Sequence, residues 1–121
     1  MNCDRQRRTR VPIYPILGLQ LGMHLVSVPP LLAFIGKHPT AKQSVLAWVD
    51  EVKKANWTKP SDVKAQFATA SILKSRRVVF NIKGNEYRLI VAIAYKTGFV
   101  FVKFIGTHKQ YDAVDADTVE M

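Results

Sequence analysis

The sequence has one cysteine, Cys3, in 121 residues. A single thiol cannot form an internal disulfide framework, and it supplies too little sulfur for a thiolate zinc site. The composition is therefore typical of a reducing compartment. Acidic residues are also few, because nine Asp and Glu stand against 18 Lys and Arg, which gives a net charge of +9. This balance favours an acidic partner: nucleic acid, an anionic membrane surface or an acidic protein.

Long apolar runs and familiar catalytic motifs are missing as well. No run reaches the roughly 18–20 apolar residues of a transmembrane helix. The apolar stretch 11–23 follows four arginines, but Pro12 and Pro15 interrupt it and no small-residue cleavage site follows. We therefore expect a cytoplasmic protein that uses no membrane. Without a glycine-rich phosphate loop, nucleophile elbow or metal motif, the sequence favours chemistry that needs no metal, cofactor or covalent nucleophile. Transesterification of RNA by its own 2′-hydroxyl is such a reaction.

The length predicts one domain, and its 48% hydrophobic residues are enough for a core. Residues 1–22 differ from the rest, since they carry four Arg and one Asp and show no helical or strand period. We interpret 1–22 as an irregular basic extension and 23–121 as the domain. A start codon assigned too early, with Met23 as the true start, explains the extension most simply. A basic arm that adds affinity for nucleic acid is the alternative.

The pattern from residue 23 onward predicts helices followed by a β-meander. We expect a short strand at 24–28, and a helix that begins at Pro29-Pro30 and stops at Gly36. A capping box of Thr40 and Gln43 predicts a second helix to about residue 56, and a third begins at Pro60. The second helix should bury one apolar stripe, made of Ala41, Val45, Trp48, Val49 and Val52.

Three strands are predicted after residue 71, at 77–82, 86–95 and 99–105. Gly84-Asn85 should form a two-residue hairpin turn, since both residues tolerate positive φ, and Gly106 should bend the chain after the last strand. Alternation assigns one face of each strand to the core beneath the helices. The core-facing residues are Val78, Phe80, Ile82, Tyr87, Leu89, Val91, Ile93, Val100, Val102 and Phe104.

The opposite face of the meander combines cations with aromatic rings. It carries Arg77, Lys83, Arg88 and Lys103 interleaved with Phe99 and Phe101. Cations suit phosphates and exposed rings suit bases, so this face is a candidate for binding single-stranded RNA. The alternative is that the cations only solvate the sheet and the phenylalanines fill a second core.

Titratable side chains follow the last strand. His108 is the best candidate for proton transfer, because an imidazole pKa near 6.5 suits an acid or a base at neutral pH. In a helical turn, Tyr111 and Asp112 would share a face with it, so Tyr111 could bind phosphate and Asp112 could orient the ring. The alternatives are that His108 only caps the strand or bonds Asp112, that Tyr111 packs its ring, and that Asp112 has a structural role. The remaining acidic residues, Asp115, Asp117 and Glu120, are expected to form a solvated tail.

Four stretches carry a resemblance to a known family: residues 23–25 (MHL), 59–64 (KPSDVK), 80–88 (FNIKGNEYR) and 107–112 (THKQYD). With these, residues 23–112 resemble the HigB-type toxins of bacterial toxin–antitoxin modules, in the RelE-like superfamily of mRNA interferases. The resemblance implies an α+β fold, with a short N-terminal strand and two to three helices on one face of a small, mostly antiparallel sheet. It also implies an endoribonuclease that cleaves mRNA, usually on ribosomes, and is inhibited by a HigA-like helix-turn-helix antitoxin.

The resemblance and the residue pattern together give a predicted site. We expect His108 as general acid or base, Arg88 and Lys103 on the scissile phosphate, and Tyr111 as a further catalytic contact. Further RNA contacts are expected from Arg77, Lys83, Lys109, Phe99 and Phe101. The first alternative is a non-catalytic RNA- or ribosome-binding module, and the second is a basic scaffold for an acidic protein.

Overall fold

A computed structural model describes residues 22–120. The predicted basic extension therefore lies, except for Gly22, outside the described residues. The strands are β1 His24–Val26, β2 Ser71–Ile72, β3 Arg77–Ile82, β4 Tyr87–Ala94 and β5 Phe99–Thr107. The helices are α1 Val28–Lys37, α2 Lys42–Lys54, α3 Pro60–Gln66 and α4 His108–Asp112, and a short 3₁₀ turn, Pro39–Ala41, precedes α2. None of the helices in this part of the chain has the length and apolar character required to cross a membrane.

The five strands form one sheet in the order β1-β5-β4-β3-β2. Only β1 runs parallel to its neighbour, with Leu25 opposite Val100 of β5, and the other pairs are antiparallel. Helices α1, α2 and α3 contribute buried residues to the core on one face of the sheet. The predicted α+β architecture is therefore confirmed, with the additional short strand β2 at the sheet edge.

The core is built around the apolar stripe of α2 and the aromatic side chain of Phe80. Val45, Trp48 and Val52 are buried as predicted. The ring of Phe80 lies 5.4 Å from that of Trp48 and 6.2 Å from that of Trp57, centroid to centroid. Full burial of such a side chain contributes about 1.5–3 kcal/mol to folding. This packing holds the helices on one face of the sheet. The candidate functional side chains described below lie on or beside the opposite face.

The first half of the chain departs from the prediction at several element boundaries. Strand β1 ends at Val26, and α1 continues through Gly36 to Lys37. The capping box predicted for Thr40 and Gln43 is wrong, because the 3₁₀ turn runs directly into α2 and leaves no helix start at Thr40. The Thr40 hydroxyl instead forms a hydrogen bond of 2.8 Å with the Tyr87 hydroxyl.

The hairpin between β3 and β4 has its turn in the predicted place but with a different backbone. The Glu86 N–H donates to the Lys83 carbonyl at 3.2 Å, which makes Gly84 and Asn85 the central pair. Positive φ falls on Lys83 (53°) and Gly84 (65°), and Asn85 stays outside the left-handed region. A second turn, between β2 and β3, was not predicted: its central residues Ser75 and Arg76 have φ of 56° and 60°.

A β-bulge in β5 changes which residues face the core. Ile90 pairs with Phe104 but Val91 pairs with Val102, so Lys103 is an extra residue in the ladder. Beyond the bulge the alternation is reversed. The prediction for this end of the strand was therefore wrong, because Ile105 enters the core and Phe104 is only half-buried on the other face.

Candidate active site

The sheet face opposite the helices, termed the outer face, contains some of the predicted site residues. Strand pairing arranges the residues of this face in rows across β3, β4 and β5. The first row, beside α4, is Asn81, Arg88 and Gly106, the second is Val79, Ile90 and Phe104, and the third is Arg77, Ala92 and Phe101. Successive rows are about 7 Å apart, since alternate residues of a strand share a face.

Helix α4 is held beside the first row by a capping box that the sequence analysis did not identify. The Gln110 N–H donates to the Thr107 hydroxyl at 3.2 Å, and the Thr107 N–H donates to the Gln110 side-chain oxygen at 2.9 Å. The His108 N–H donates to the Glu86 carbonyl at 3.0 Å. These bonds fix the start of α4 beside the first residues of β4, and Tyr111 of this helix contacts Arg88.

Gly106 has a role different from the predicted bend, because β5 continues to Thr107. A Cβ atom at position 106 would lie 2.6 Å from Phe104 Cζ and 2.8 Å from the Gln110 side-chain oxygen. Real Cβ atoms do not approach other atoms so closely. Glycine therefore gives Gln110 the space to complete the capping box.

Arg88 and Tyr111 form the best-defined contact of the site. The guanidinium carbon of Arg88 lies 5.5 Å from the centroid of the Tyr111 ring, within cation–π range. Arg88 Nη1 also donates to the Asn85 carbonyl at 3.2 Å. A guanidinium has five N–H donors, so this anchoring leaves others for an incoming anion.

His108 and Lys109 stand at the exposed start of α4. The imidazole Nε2 of His108 lies 3.5 Å from Asp112 Oδ1, and the His108 side chain is 48% exposed. The predicted pairing of His108 with Asp112 is therefore present, at a distance longer than a normal hydrogen bond. Lys109 is exposed beside it. Arg88, His108, Lys109 and Tyr111 are called the corner site below.

Arg77 is not exposed on the outer face as expected. Its side chain is 7% exposed. Its guanidinium donates to the carbonyls of Ala116 at 3.2 Å and Val119 at 2.7 Å, and to Glu120 Oε2 at 2.8 Å. The C-terminal segment 116–120 therefore lies over the outer face, where Val79 and Ile90 are also buried. The expectation that Arg77 faces solvent is wrong for this physical reason.

Glu120 is the residue that the sequence analysis misjudged most. Lys103 Nζ donates to Glu120 Oε1 at 2.9 Å and lies 5.9 Å from the Phe101 ring centroid. The hydrogen bond from Lys103 holds the pKa of the Glu120 carboxyl below its ordinary value, and Arg77 adds to this effect. Glu120 is thus an ion-pair partner rather than part of a solvated tail. Its sequence gives no local signal, because its partners are distant in the chain.

The remaining predicted RNA contacts are separated from the corner site. Lys83 lies at the tip of the β3–β4 hairpin, 3.5 Å from Glu86. Phe99 and Phe101 stack with a centroid distance of 6.1 Å, and Phe99 is partly exposed towards β1, where its ring lies 5.2 Å from that of His24. The structure therefore brings together only part of the predicted site.

Comparison with known protein families adds an independent observation. Residues 41–114 match the family model HigB_toxin, described as the RelE-like toxic component of a toxin–antitoxin system. The chain belongs to the HigB toxin family. The matched span contains the whole corner site and ends before Glu120.

Named proteins of the HigB family resemble this toxin over most of their length. It is 29% identical over 92 residues to the mRNA interferase toxin HigB of Escherichia coli (strain K12), covering 74% of this chain and 88% of that protein. The mRNA interferase HigB of Shigella flexneri matches to the same extent. The mRNA interferase HigB of Escherichia coli O6:H1 is 26% identical over 92 residues, covering 74% of this chain and 89% of that protein.

Proposed function

We propose that this HigB-family toxin is an endoribonuclease that cleaves mRNA by acid–base transesterification at the corner site. Two lines of support combine: membership of a family of toxic components, and similarity to relatives named mRNA interferases. The single observation that carries the mechanism is the Arg88–Tyr111 contact, because Tyr111 lies on the same short helix as the exposed imidazole of His108. It supports a site in which Arg88 supplies a cation and His108 supplies an imidazole for proton transfer.

The reaction requires little from the protein beyond positioning, proton transfer and charge stabilisation. The RNA 2′-oxygen attacks the adjacent phosphorus, its proton passes to a base, and the bond to the 5′-oxygen breaks as that oxygen gains a proton. The products are a 2′,3′-cyclic phosphate and a 5′-hydroxyl. His108 supplies one of the two proton transfers, which typically accelerates such a step by about 10²–10⁴. Arg88 donors stabilise the negative charge that develops on the phosphorane.

The other corner residues bind and orient the substrate. Tyr111 holds the Arg88 guanidinium through its ring and presents its hydroxyl to a phosphate oxygen. Lys109 is exposed at the start of α4 and attracts the RNA backbone. Outside the corner, Lys103 binds phosphate, Lys83 adds positive charge at the hairpin tip, and the stacked pair Phe99 and Phe101 offers a surface for a flanking base.

The proposed partners follow from the family. Membership of the HigB toxin family implies an antitoxin partner. We propose that this antitoxin is a HigA-like helix-turn-helix protein, and that the toxin acts in the cytoplasm on mRNA bound to ribosomes. Co-expression of the adjacent reading frame tests the first point, because the antitoxin should restore growth to cells that express the toxin. Cleavage of free mRNA compared with mRNA on ribosomes tests the second.

The catalytic proposal is tested by growth arrest and by cleavage of RNA. His108→Ala and Arg88→Ala should each abolish growth arrest. Each should also lower the rate of RNA cleavage by about 10²-fold or more, because the first removes a proton-transfer group and the second a group that stabilises charge. Lys53→Ala is the matched control, because Lys53 is an exposed cation on α2, whose buried face packs in the core under the sheet. The control should remain toxic, and circular dichroism should show that all variants are folded.

A different outcome would support the non-catalytic alternative. Within residues 22–120, the His108 imidazole has one weak polar contact, to Asp112 at 3.5 Å, which orients it less than many proton-transfer groups are oriented. If His108→Ala stays folded, arrests growth and binds RNA as tightly as the wild type, and the wild type leaves no cleaved RNA, the chain is an RNA- or ribosome-binding module. In that case the mechanism proposed here is wrong.

A further inference from the structure

The outer face of the sheet holds a carboxylate between two cations. Glu120 Oε2 lies 2.8 Å from Arg77 Nη2, and Glu120 Oε1 lies 2.9 Å from Lys103 Nζ. A guanidinium and an ammonium that share the two oxygens of one carboxylate can equally bind two oxygens of a phosphodiester. The side chain of Glu120 therefore occupies a position whose chemistry suits the backbone of RNA.

The two cations differ in how firmly they are held. Arg77 keeps its place without Glu120, because its guanidinium also donates to the carbonyls of Ala116 and Val119. Lys103 contacts the ring of Phe101 in addition to Glu120 and is 25% exposed. Glu120 is itself 62% exposed, and ion pairs open to water contribute little to stability. A polyanion can therefore displace this carboxylate without unfolding the sheet.

The location connects this position to the corner site. Arg88 pairs with Gly106, whereas Ile90, two residues further along β4, pairs with Phe104 beside the bulged Lys103. The two rows are about 7 Å apart on the same face. A single RNA strand with one phosphate at Arg88 would therefore meet Lys103 as it continues across the outer face.

We propose that Arg77 and Lys103 form a second phosphate-binding position for single-stranded RNA, and that Glu120 occupies it in the free toxin as a self-inhibitory carboxylate. RNA binds by displacing Glu120 from Lys103, so the segment that covers the outer face lowers the affinity for substrate. This inference rests on the proposed function and extends it to regulation of the same surface.

The test compares two variants that change the net charge equally. Glu120→Gln removes the competing charge, whereas Asp117→Asn removes a charge three residues away that has no ion pair with Arg77 or Lys103. The probe is a fluorescein-labelled single-stranded RNA in which every 2′-hydroxyl is methylated, so that it cannot be cleaved. Fluorescence anisotropy gives the dissociation constant at several salt concentrations, with the full-length chain in each case.

Glu120→Gln should bind this RNA about 3- to 10-fold more tightly than Asp117→Asn at low salt, because RNA no longer has to displace a carboxylate, and it should keep the wild-type salt slope. Loss of one phosphate contact makes the slope of log K against log salt shallower by about 0.7 for a single strand. Asp117→Asn should keep the wild-type slope. The double variant Lys103→Gln/Glu120→Gln should lose the gain in affinity, and its slope should be shallower than that of the wild type by this amount.

Three results would overturn the proposal, and they separate it from the proposed function. If Glu120→Gln and Asp117→Asn bind RNA with the same affinity, Glu120 does not compete with phosphate, although the nuclease proposal stands. If neither they nor the wild type bind RNA, both proposals fail. NMR of the unmodified toxin avoids any folding defect of the variants: saturating probe RNA should shift the carboxyl signal of Glu120, and an unchanged signal with RNA bound contradicts displacement.

Discussion

The guanidinium of Arg88 packs against the ring of Tyr111, with 5.5 Å between the guanidinium carbon and the ring centroid. One residue comes from the middle sheet strand β4 and the other from the last helix, so this contact joins the sheet to α4. The proposed mechanism gives the tyrosine two separable roles, because its ring orients Arg88 and its hydroxyl binds phosphate. Substitutions can remove one role at a time.

We expect Tyr111→Phe to lower kcat/KM for RNA cleavage by about 10-fold or less. The variant loses one hydrogen bond from the hydroxyl to phosphate, and such a bond contributes about 1 kcal/mol. Tyr111→Leu should lower it further, because it also removes a cation–π contact worth about 0.5–1 kcal/mol at an exposed site. Steady-state kinetics on one RNA substrate measures both effects. Equal activity of the two variants would show that the ring does not position Arg88.

The capping box at the start of α4 gives a prediction about stability. Thr107→Val keeps the shape of the side chain but removes the hydroxyl that accepts from the Gln110 N–H. Loss of an N-cap typically costs about 0.5–2 kcal/mol, so we expect a decrease of that size in the free energy of unfolding. Thr107→Ser keeps the hydroxyl and serves as the control.

Urea denaturation measures this change, and hydrogen exchange at the amides of α4 reports it locally. RNA cleavage should fall with Thr107→Val, since His108 is the next residue and its position depends on the start of the helix. A Thr107→Val variant as stable and as active as Thr107→Ser would contradict the proposed role of the cap.

Sequence patterns predicted the parts of the fold that depend on local periodicity. The buried stripe of α2 and the bounds of β3 follow from spacing alone, because each residue contacts the core according to its own position in a helix or strand. The faces of β5 could be assigned only as far as the bulge. An extra residue at Lys103 reverses the alternation beyond it, and nothing near Lys103 in the sequence marks that change.

The candidate site, like the fold, could be predicted from the sequence only in part. The contact between Arg88 and Tyr111 follows from the pairing of β4 with β5, because β5 leads directly into α4, and the sequence suggested both residues. The burial of Arg77 could not be predicted, because it results from contacts with Val119 and Glu120 more than 40 residues away, at separations of 42 and 43. Ion pairs between residues so far apart in the chain leave no repeating pattern in the sequence from which they could be predicted.

Two glycines allow a matched comparison of backbone and packing effects. Gly36 lies within α1 with an ordinary helical φ, and a Cβ there would meet nothing within 4 Å. We expect Gly36→Ala to raise the free energy of unfolding by about 0.5–1 kcal/mol, since alanine is the better helix former. Gly106→Ala should lower it by about 1–3 kcal/mol, because its Cβ would collide with Phe104 and Gln110.

Urea unfolding of both alanine variants against the wild type measures these opposite changes. The Gly106→Ala variant should also lose RNA cleavage, since Gln110 completes the cap that holds His108. A Gly106→Ala variant at least as stable as the wild type would show that the space around residue 106 adapts to a methyl group, and that Gly106 is not required by packing.

The ion pairs of Glu120 predict how stability depends on pH. The hydrogen bond from Lys103 lowers the pKa of this carboxyl in the folded toxin from its ordinary value of 4.5. The unfolded chain therefore takes up the proton first as the pH falls, so the stabilisation is complete above pH 4.5 and is lost as the pH drops through the lowered folded value. The urea midpoint of wild type minus that of Glu120→Gln should be positive and constant at pH 5–7, and should shrink towards zero below that range. A difference between wild type and Glu120→Gln that grew on acidification would mean that the ionised carboxyl destabilises the folded protein.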